Sequence, residues 1–246
     1  MLEKAQSTPQ RLWYRDASVV VAILALLISL TASYFSWKQN GDQQELAARS
    51  ELSQLIQRMT ALQRDGSEDI TDADGQRIGV TERGDAVTET LALAEQAAEI
   101  MDHLDDGGTA SECYAVALAF KFVSEDGRTA EFAEKGLRKD PPHLTLRIGL
   151  LHVKAYSNFK LGNYEVARDA MRAAIGTRDS QSGLIRAYGE LHSYTYWADR
   201  ERTTGSCDEW EMAIGKARSL LEELAANKAA RERASQWIRA VDSCPE

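Results

Sequence analysis

The pattern of apolar and polar positions changes character along the chain. From Ala17 to Ser36 the stretch ASVVVAILALLISLTASYFS carries no charge over 20 residues. A helix of that length is about 30 Å long, the hydrocarbon thickness of a bilayer. Trp13 and Tyr14 precede the run, and Tyr34, Phe35 and Trp37 close it, as an aromatic belt would. The pattern predicts a single transmembrane helix over residues 17–37 behind a tail of residues 1–16. A signal-peptide core is shorter, roughly 7–15 residues, and the best small-x-small cleavage point, after Ser33, is poor. An uncleaved anchor is therefore expected. Lys4, Arg11 and Arg15 precede the span, and only Lys38 and Arg49 follow it closely. The positive-inside rule then puts the soluble part on the extracytoplasmic side of a cell (inner) membrane.

Asn40-Gly41 is a turn signal and is expected to end this helix. Asp42-x-x-Glu45 reads as a capping pair opening another, over residues 42–64. There Ala48, Leu52, Leu55, Met59 and Leu62 alternate spacings of four and three, a coiled-coil-like stripe. Two uses stay open for it: packing on its own domain, or a short self-association stalk. Residues 65–84 are polar, acidic and glycine-containing, and read as a linker. Asp72-Ala73-Asp74-Gly75 imitates part of a calcium loop. With Gly75 as the turn glycine, however, Ile70 and Thr81 occupy positions that need carboxylates.

Residues 85–242 read as a helical domain. A first helix covers about 86–105, before Gly107-Gly108. Two similar helical pairs follow, over 110–140 and 144–176. The first carries Cys113, Val116, Ala117, Phe120, Gly127 and Leu137, and stops at Asp140-Pro141. The second carries Leu151, Ala155, Gly162-Asn163-Tyr164, Ala167, Met171 and Ala174. Small residues let helices approach closely, and neither pair can bury its apolar face without stacking on the next. A third pair is placed at 183–202 and 208–225, and a last helix at 226–241 has the look of a solenoid cap.

On these residues the region from about 86 to 241 resembles the tetratricopeptide repeat family. The expected architecture is all-α: a transmembrane helix and a short amphipathic helix, as the pattern gives them, then the solenoid of helical pairs that the resemblance implies. Such solenoids present a concave groove built from the first helix of each pair. The resemblance puts Tyr114, Leu118 and Lys121 in that groove from the first pair, and His152, Tyr156, Phe159 and Lys160 from the second. The spacings 114/118/121 and 152/156/159 keep each set on one helix face. Packing inside the solenoid is the competing role for Tyr156 and Phe159. Aromatic, aliphatic and lysine side chains together suit a peptide or helix bearing a carboxylate.

The formal charge of −9 and the lack of a long Lys/Arg run argue against nucleic acid as a partner. Cys113, Cys207 and Cys244 do not form a metal pattern. Cys113 lies on an apolar helix face, and whether Cys207 and Cys244 pair stays open. Nucleotide-loop, nucleophile-elbow and zinc-protease motifs are missing, and the histidines at 103, 143, 152 and 192 lie on separate segments. No enzymatic activity and no cofactor or metal is expected. The expected function is a membrane-anchored protein–protein interaction scaffold with a protein or peptide partner. The alternative is a membrane component assembling with copies of itself through the span and residues 42–64. Ala22, Ala25, Ser29 and Ser33 would supply a small-residue face for that contact.

Overall fold

Alanine, leucine, glutamate and arginine dominate after residue 42, and all are good helix formers. The outcome, in a computed structural model, is helical apart from one hairpin. The structure describes residues 10–71, 77–181, 183–241 and 243–244, and of these the backbone alone over 10–24, 67–71 and 77–82. The helices are α1 (Gln10–Asp65), α2 (Gly84–His103), α3 (Ala110–Phe122), α4 (Asp126–Arg138), α5 (Leu144–Lys160), α6 (Tyr164–Gly176), α7 (Gly183–Thr204), α8 (Cys207–Glu223) and α9 (Lys228–Ala240). A 3-10 turn, Thr177–Ser180, lies between α6 and α7. The chain divides into two units, Met1–Glu51 and Leu52–Glu246, and α1 contributes to both.

The first unit corrects the membrane reading. Among the described residues no helix is long and apolar enough to cross a membrane. The transmembrane helix at 17–37, the single-pass inner-membrane location and the extracytoplasmic placement fall together. The reason lies in the run's composition. Its described side chains run from Ala25 to Ser36. Polar Ser29, Thr31 and Ser33 interrupt them, and the Thr31 hydroxyl donates back to the carbonyls of Leu27 and Ile28, at 3.0 and 2.9 Å. The helix then continues through Lys38, Asn40 and Asp42 without a break. Asn40-Gly41 therefore does not end it. A glycine inside a helix costs only about 1 kcal/mol, which its neighbours supply. Residues 1–9 of the expected tail and the calcium-loop positions Asp72–Gly75 lie outside the described residues.

In the second unit the stripe at 48–62 buries Leu52 and Met59, at 0% and 1% exposure, within the unit itself. Arg58 donates to Glu89 on α2 at 2.8 Å. The acidic segment is not all irregular: β1 (Ser67–Thr71) and β2 (Arg77–Glu82) form an antiparallel hairpin pairing Ser67 with Glu82 and Asp69 with Val80. The β-branched Ile70, Thr71, Ile78, Val80 and Thr81 favour extended backbone despite the acidic composition. Its ends are tied where Arg83 donates to the Gly66 carbonyl at 2.9 Å. The all-α expectation is corrected to that extent.

From α2 onward each helix packs on its neighbours in sequence, and α5 also touches α3 and α7. This succession is compatible with an α-solenoid. A capping box starts α3: Glu112 N–H donates to Thr109 Oγ1 at 3.2 Å, and Thr109 N–H to Glu112 Oε2 at 2.6 Å. Gly162, at φ 78°, makes the tight turn from α5 to α6. Between α3 and α4 the turn is made by Ser124, at φ 61°, and not by Asp126-Gly127, which already lie in α4. Phe120 and Phe132 fill the α3–α4 contact, with ring centroids 5.6 Å apart. Cys113 of α3 is buried as well, as the apolar helix face implied. On the surface Glu95 and Asp102 of α2 accept from Arg128 and Lys135 of α4, each pair 33 residues apart, at 3.1 and 2.9 Å.

The contact of α6 with α7 contains a buried ion pair. Glu201 is fully enclosed. Arg168 holds it with two bonds, Nε to Oε1 at 2.8 Å and Nη2 to Oε2 at 2.9 Å. Trp197 Nε1–H donates to Oε1 at 2.8 Å. The Glu201 hydrogen bond is the main cause that raises the Arg168 pKa. At the far end a Cys207–Cys244 disulfide joins the start of α8 to the segment after α9, with Cα atoms 5.7 Å apart. Trp210 Nε1–H adds a bond to the Val241 carbonyl at 2.9 Å.

A stability series checks these contacts. Ala155 and Ala167 are fully buried where helices touch, so Ala155→Leu and Ala167→Leu should each overpack and cost roughly 1–3 kcal/mol. Arg168→Met strands the buried carboxylate and should cost more, about 3–5 kcal/mol. The exposed Glu232→Ala should stay within about 0.5 kcal/mol. Urea unfolding of the four variants gives the order. Uniformly small effects would show that the helix contacts are misplaced.

Candidate binding face

Helix periodicity divides α5 into two sides. Leu151 and Ala155 turn into the core, at 8% and 0% exposure. His152 and Tyr156 turn the other way and are half-buried. Since α5 lies between α3 and α7, side chains from three helices meet on this face.

They form a continuous row of rings and cations. Lys121 Nζ of α3 sits 4.5 Å from the Tyr156 ring centre. The guanidinium carbon of Arg200, on α7, is 5.5 Å from the same ring and 5.5 Å from that of Tyr196. His152 stacks on Tyr196 with centroids 5.5 Å apart and an interplanar angle of 22°. It also lies 6.0 Å from the His192 ring. His192 meets Trp237 of α9 edge-on at 4.8 Å, and Trp237 contacts Tyr188 at 5.2 Å. At the α3 end Tyr114 packs its ring against the backbone at Gly149.

The electrostatics follow from crowding cations into a half-enclosed face. Burial lowers the Lys121 pKa, and nearby Arg200 lowers it further. Burial raises the Tyr196 phenol. His152 is pushed down to about 4, chiefly by burial and then by His192, Arg178 and Lys121. Burial and then Arg178 also lower His192. Both imidazoles are therefore neutral at pH 7, and the charge of the face resides on Lys121 and Arg200. Arg200 has one acidic neighbour, Asp199, in contact with it.

The seven residues expected in a groove separate. Tyr114, Lys121, His152 and Tyr156 lie on this face, and Leu118 is half-buried on α3 between the first two. Phe159 does not belong to it. At 6% exposure it sits in the core cluster with Met171 and Ala167. Two turns on from His152 it keeps nearly the same bearing, but near the end of α5 its ring meets that of Tyr164 on α6, with centroids 6.5 Å apart. Lys160 is exposed at the end of α5, where its charge acts on Asp126 of α4. The residues missed are His192, Tyr196 and Arg200 on α7, and Trp237 on α9. The i, i+4, i+8 spacing of the first three was the signal available in the sequence.

The face contains a serine–histidine contact, His152 Nε2 to Ser193 Oγ at 3.0 Å. It is not built as a nucleophile. Ser193 is fully buried and its hydroxyl donates to the Gly189 carbonyl at 3.2 Å. A hydroxyl acting on a substrate must be reachable and free to lose its proton to the base. The buried Cys113 thiol is likewise pushed up by burial, away from the reactive thiolate. Among the described residues no group of three His, Cys, Asp or Glu side chains gathers as a metal site. No family model, no curated protein and no solved structure matches the chain.

The depressed His152 pKa makes a pH prediction. An unfolded chain binds the proton near pH 6.5, but the folded protein refuses it until about 4. The stability tied to His152 is therefore complete above 6.5 and is lost as pH falls toward 4, by roughly 3 kcal/mol in all. Relative to His152→Asn, the wild type should lose about 2–3 kcal/mol between pH 7 and pH 4.5 in urea titrations. A pH-independent difference would remove the imidazole from its enclosed position.

Proposed function

We propose that residues 85–242 form a tetratricopeptide-like scaffold that binds an acidic peptide or helix across the face of α3, α5 and α7. The observation that carries this reading is the pair of cations, Lys121 and Arg200, gathered over the single ring of Tyr156. They stand in a chain whose formal charge is −9. Two like charges held together in a half-buried place repel one another and lose hydration. A carboxylate between them relieves both costs, and the neighbouring rings supply apolar contact area. The 33-residue offset of the α2–α4 ion pairs supports the repeat reading, because the family's period is about 34 residues. The proposed partner is protein, not nucleic acid, and the role is binding without catalysis.

The test is fluorescence anisotropy with a labelled peptide rich in Asp and Glu against its Asn/Gln counterpart. The acidic probe should bind more tightly, and added salt should weaken it. Lys121→Gln combined with Arg200→Gln should cost about tenfold or more in affinity while the melting temperature stays near wild type. Equal binding by wild type and double variant would reject the face.

A second reading has its own observation. On α1 Leu26, Leu27, Ile28, Leu30, Tyr34, Phe35 and Trp37 are all more than half exposed, from 53% for Leu27 to 74% for Trp37. An exposed apolar patch on this scale marks an interaction site. Self-association of copies through this helix would cover it, with Ala25, Ser29 and Ser33 allowing close approach. Ala25→Cys should then form a disulfide-linked dimer on mild oxidation. Monomer alone, at every protein concentration tried, would exclude this contact.

A further inference from the structure

A cleft of about 700 Å³ opens between α7 and α9, in the size range of pockets that enclose small ligands. Leu184, Ile185, Tyr188 and Trp237 give it an apolar wall, and none of its lining residues is acidic. Two arginines enter it, Arg178 from the 3-10 turn and Arg233 from α9. Arg178 lies over the backbone of Gly189, where any Cβ would collide with the guanidinium. Its Nε–H is buried without a hydrogen-bond partner, and so is the Oε1 atom of Gln181, another lining residue. Glu190 acts on Arg178 electrostatically but forms its own contact with Arg186 at 3.6 Å. Burial accordingly lowers the Arg178 pKa. The first turn of α9 also borders the cleft at Ala229 and Ala230, and Asn227 caps it by accepting from the Ala230 N–H at 3.0 Å. A helix N-terminus adds partial positive charge.

The cleft thus holds an orphan cationic donor, an orphan acceptor, an exposed second cation and an aromatic wall. These four requirements match one chemical object, the C-terminal end of a peptide. It offers a carboxylate, an amide N–H beside it and a side chain. We propose that the α7–α9 cleft binds the free C-terminus of a peptide ending in an apolar residue. Arg178 and Arg233 take the carboxylate, Gln181 Oε1 accepts the last amide N–H, and the terminal side chain packs on Tyr188 and Trp237. The proposal rests on the peptide-scaffold reading and deepens it. His192 belongs to both the cleft and the ring row, so a chain anchored here continues onto the Tyr196–Tyr156 face.

The probe is N-acetyl-Leu-Phe with a free carboxylate, compared with its C-terminal amide, titrated into the full chain. The readout is the indole N–H resonance of Trp237, identified as the signal lost in Trp237→Phe. The free acid should shift this resonance saturably in the millimolar range, and the amide should need about ten times the concentration. Arg178→Gln and Arg233→Gln should each bring acid and amide to the same weak level. If Arg178→Gln fails to fold by circular dichroism, the surface variant Arg233→Gln decides. Equal response to acid and amide, or no shift with the acid, overturns the proposal. The Lys121→Gln, Arg200→Gln variant should leave this titration unchanged. A chain that binds the acidic probe but not the dipeptide acid loses the cleft alone. The converse loses the scaffold face alone.

Discussion

The face depends on the register of α7 against α6, and Arg168 with Glu201 sets that register. A carboxylate at 0% exposure tolerates no vague partner. Unless the guanidinium meets it with both nitrogens, the desolvation cost is unrecovered. A slip of α7 by one residue rotates each side chain by about 100° and separates the pair. Arg200 immediately precedes Glu201. When Glu201 is locked inward, Arg200 has to emerge on the flank that meets Tyr156, and Tyr196 and His192 lie on the same stripe below it. An apolar pair in the same place would pack as stably, but it would permit sliding that the two-bond geometry forbids.

That stripe carries cations where an acidic chain has few to spare for one place. Each cation–ring contact returns about 0.5–2 kcal/mol, which offsets part of the crowding. The rest persists as a preference for an incoming anion. The two histidines do not add to the charge, since burial keeps them neutral at pH 7. Their role is apolar and geometric: they bridge Tyr196 to Trp237 and so extend the row toward α9. Specificity for acid on this face therefore comes from Lys121 and Arg200, while its breadth comes from rings.

Much of this organisation was legible in the chain. Small residues at helical spacing located α3 to α6, and the 114/121 and 152/156 spacings placed the ring and cation of two helices on one side. Four things were not legible. The uncharged run from Ala17 to Ser36 was read from its length, its lack of charge and its aromatic flanks, and its polar Ser29, Thr31 and Ser33 carried too little weight against the apolar count. The hairpin at 67–82 was hidden because acidic composition signals a linker more strongly than a few β-branched residues signal strands. Phe159 was placed in the groove because 152/156/159 share one helix face, yet near the end of α5 its ring meets Tyr164 of α6, with centroids 6.5 Å apart. The contributions of His192, Arg200 and Trp237 needed long-range packing. The 192/196/200 spacing puts three side chains on one side of α7, but that this side meets residues about 40 positions away emerges only once the helices are stacked.

Among the described helices α9 packs against α7 and α8. Two ties act there: the Cys207–Cys244 disulfide and the Trp210 bond to the Val241 carbonyl. The disulfide closes a loop of 37 residues' separation, a constraint on the unfolded chain of roughly 4 kcal/mol in the entropic account. Both ties grip the segment after α9 and leave its first turn uncrowded. Trp237, one turn before Val241, is thereby held against His192 and Tyr188, while Ala229, Ala230 and Arg233 border open space. An isolated terminal helix would fray at both ends. Pinned at its C-terminal end alone, α9 becomes a fixed wall with a capped, electropositive N-terminus facing the cleft.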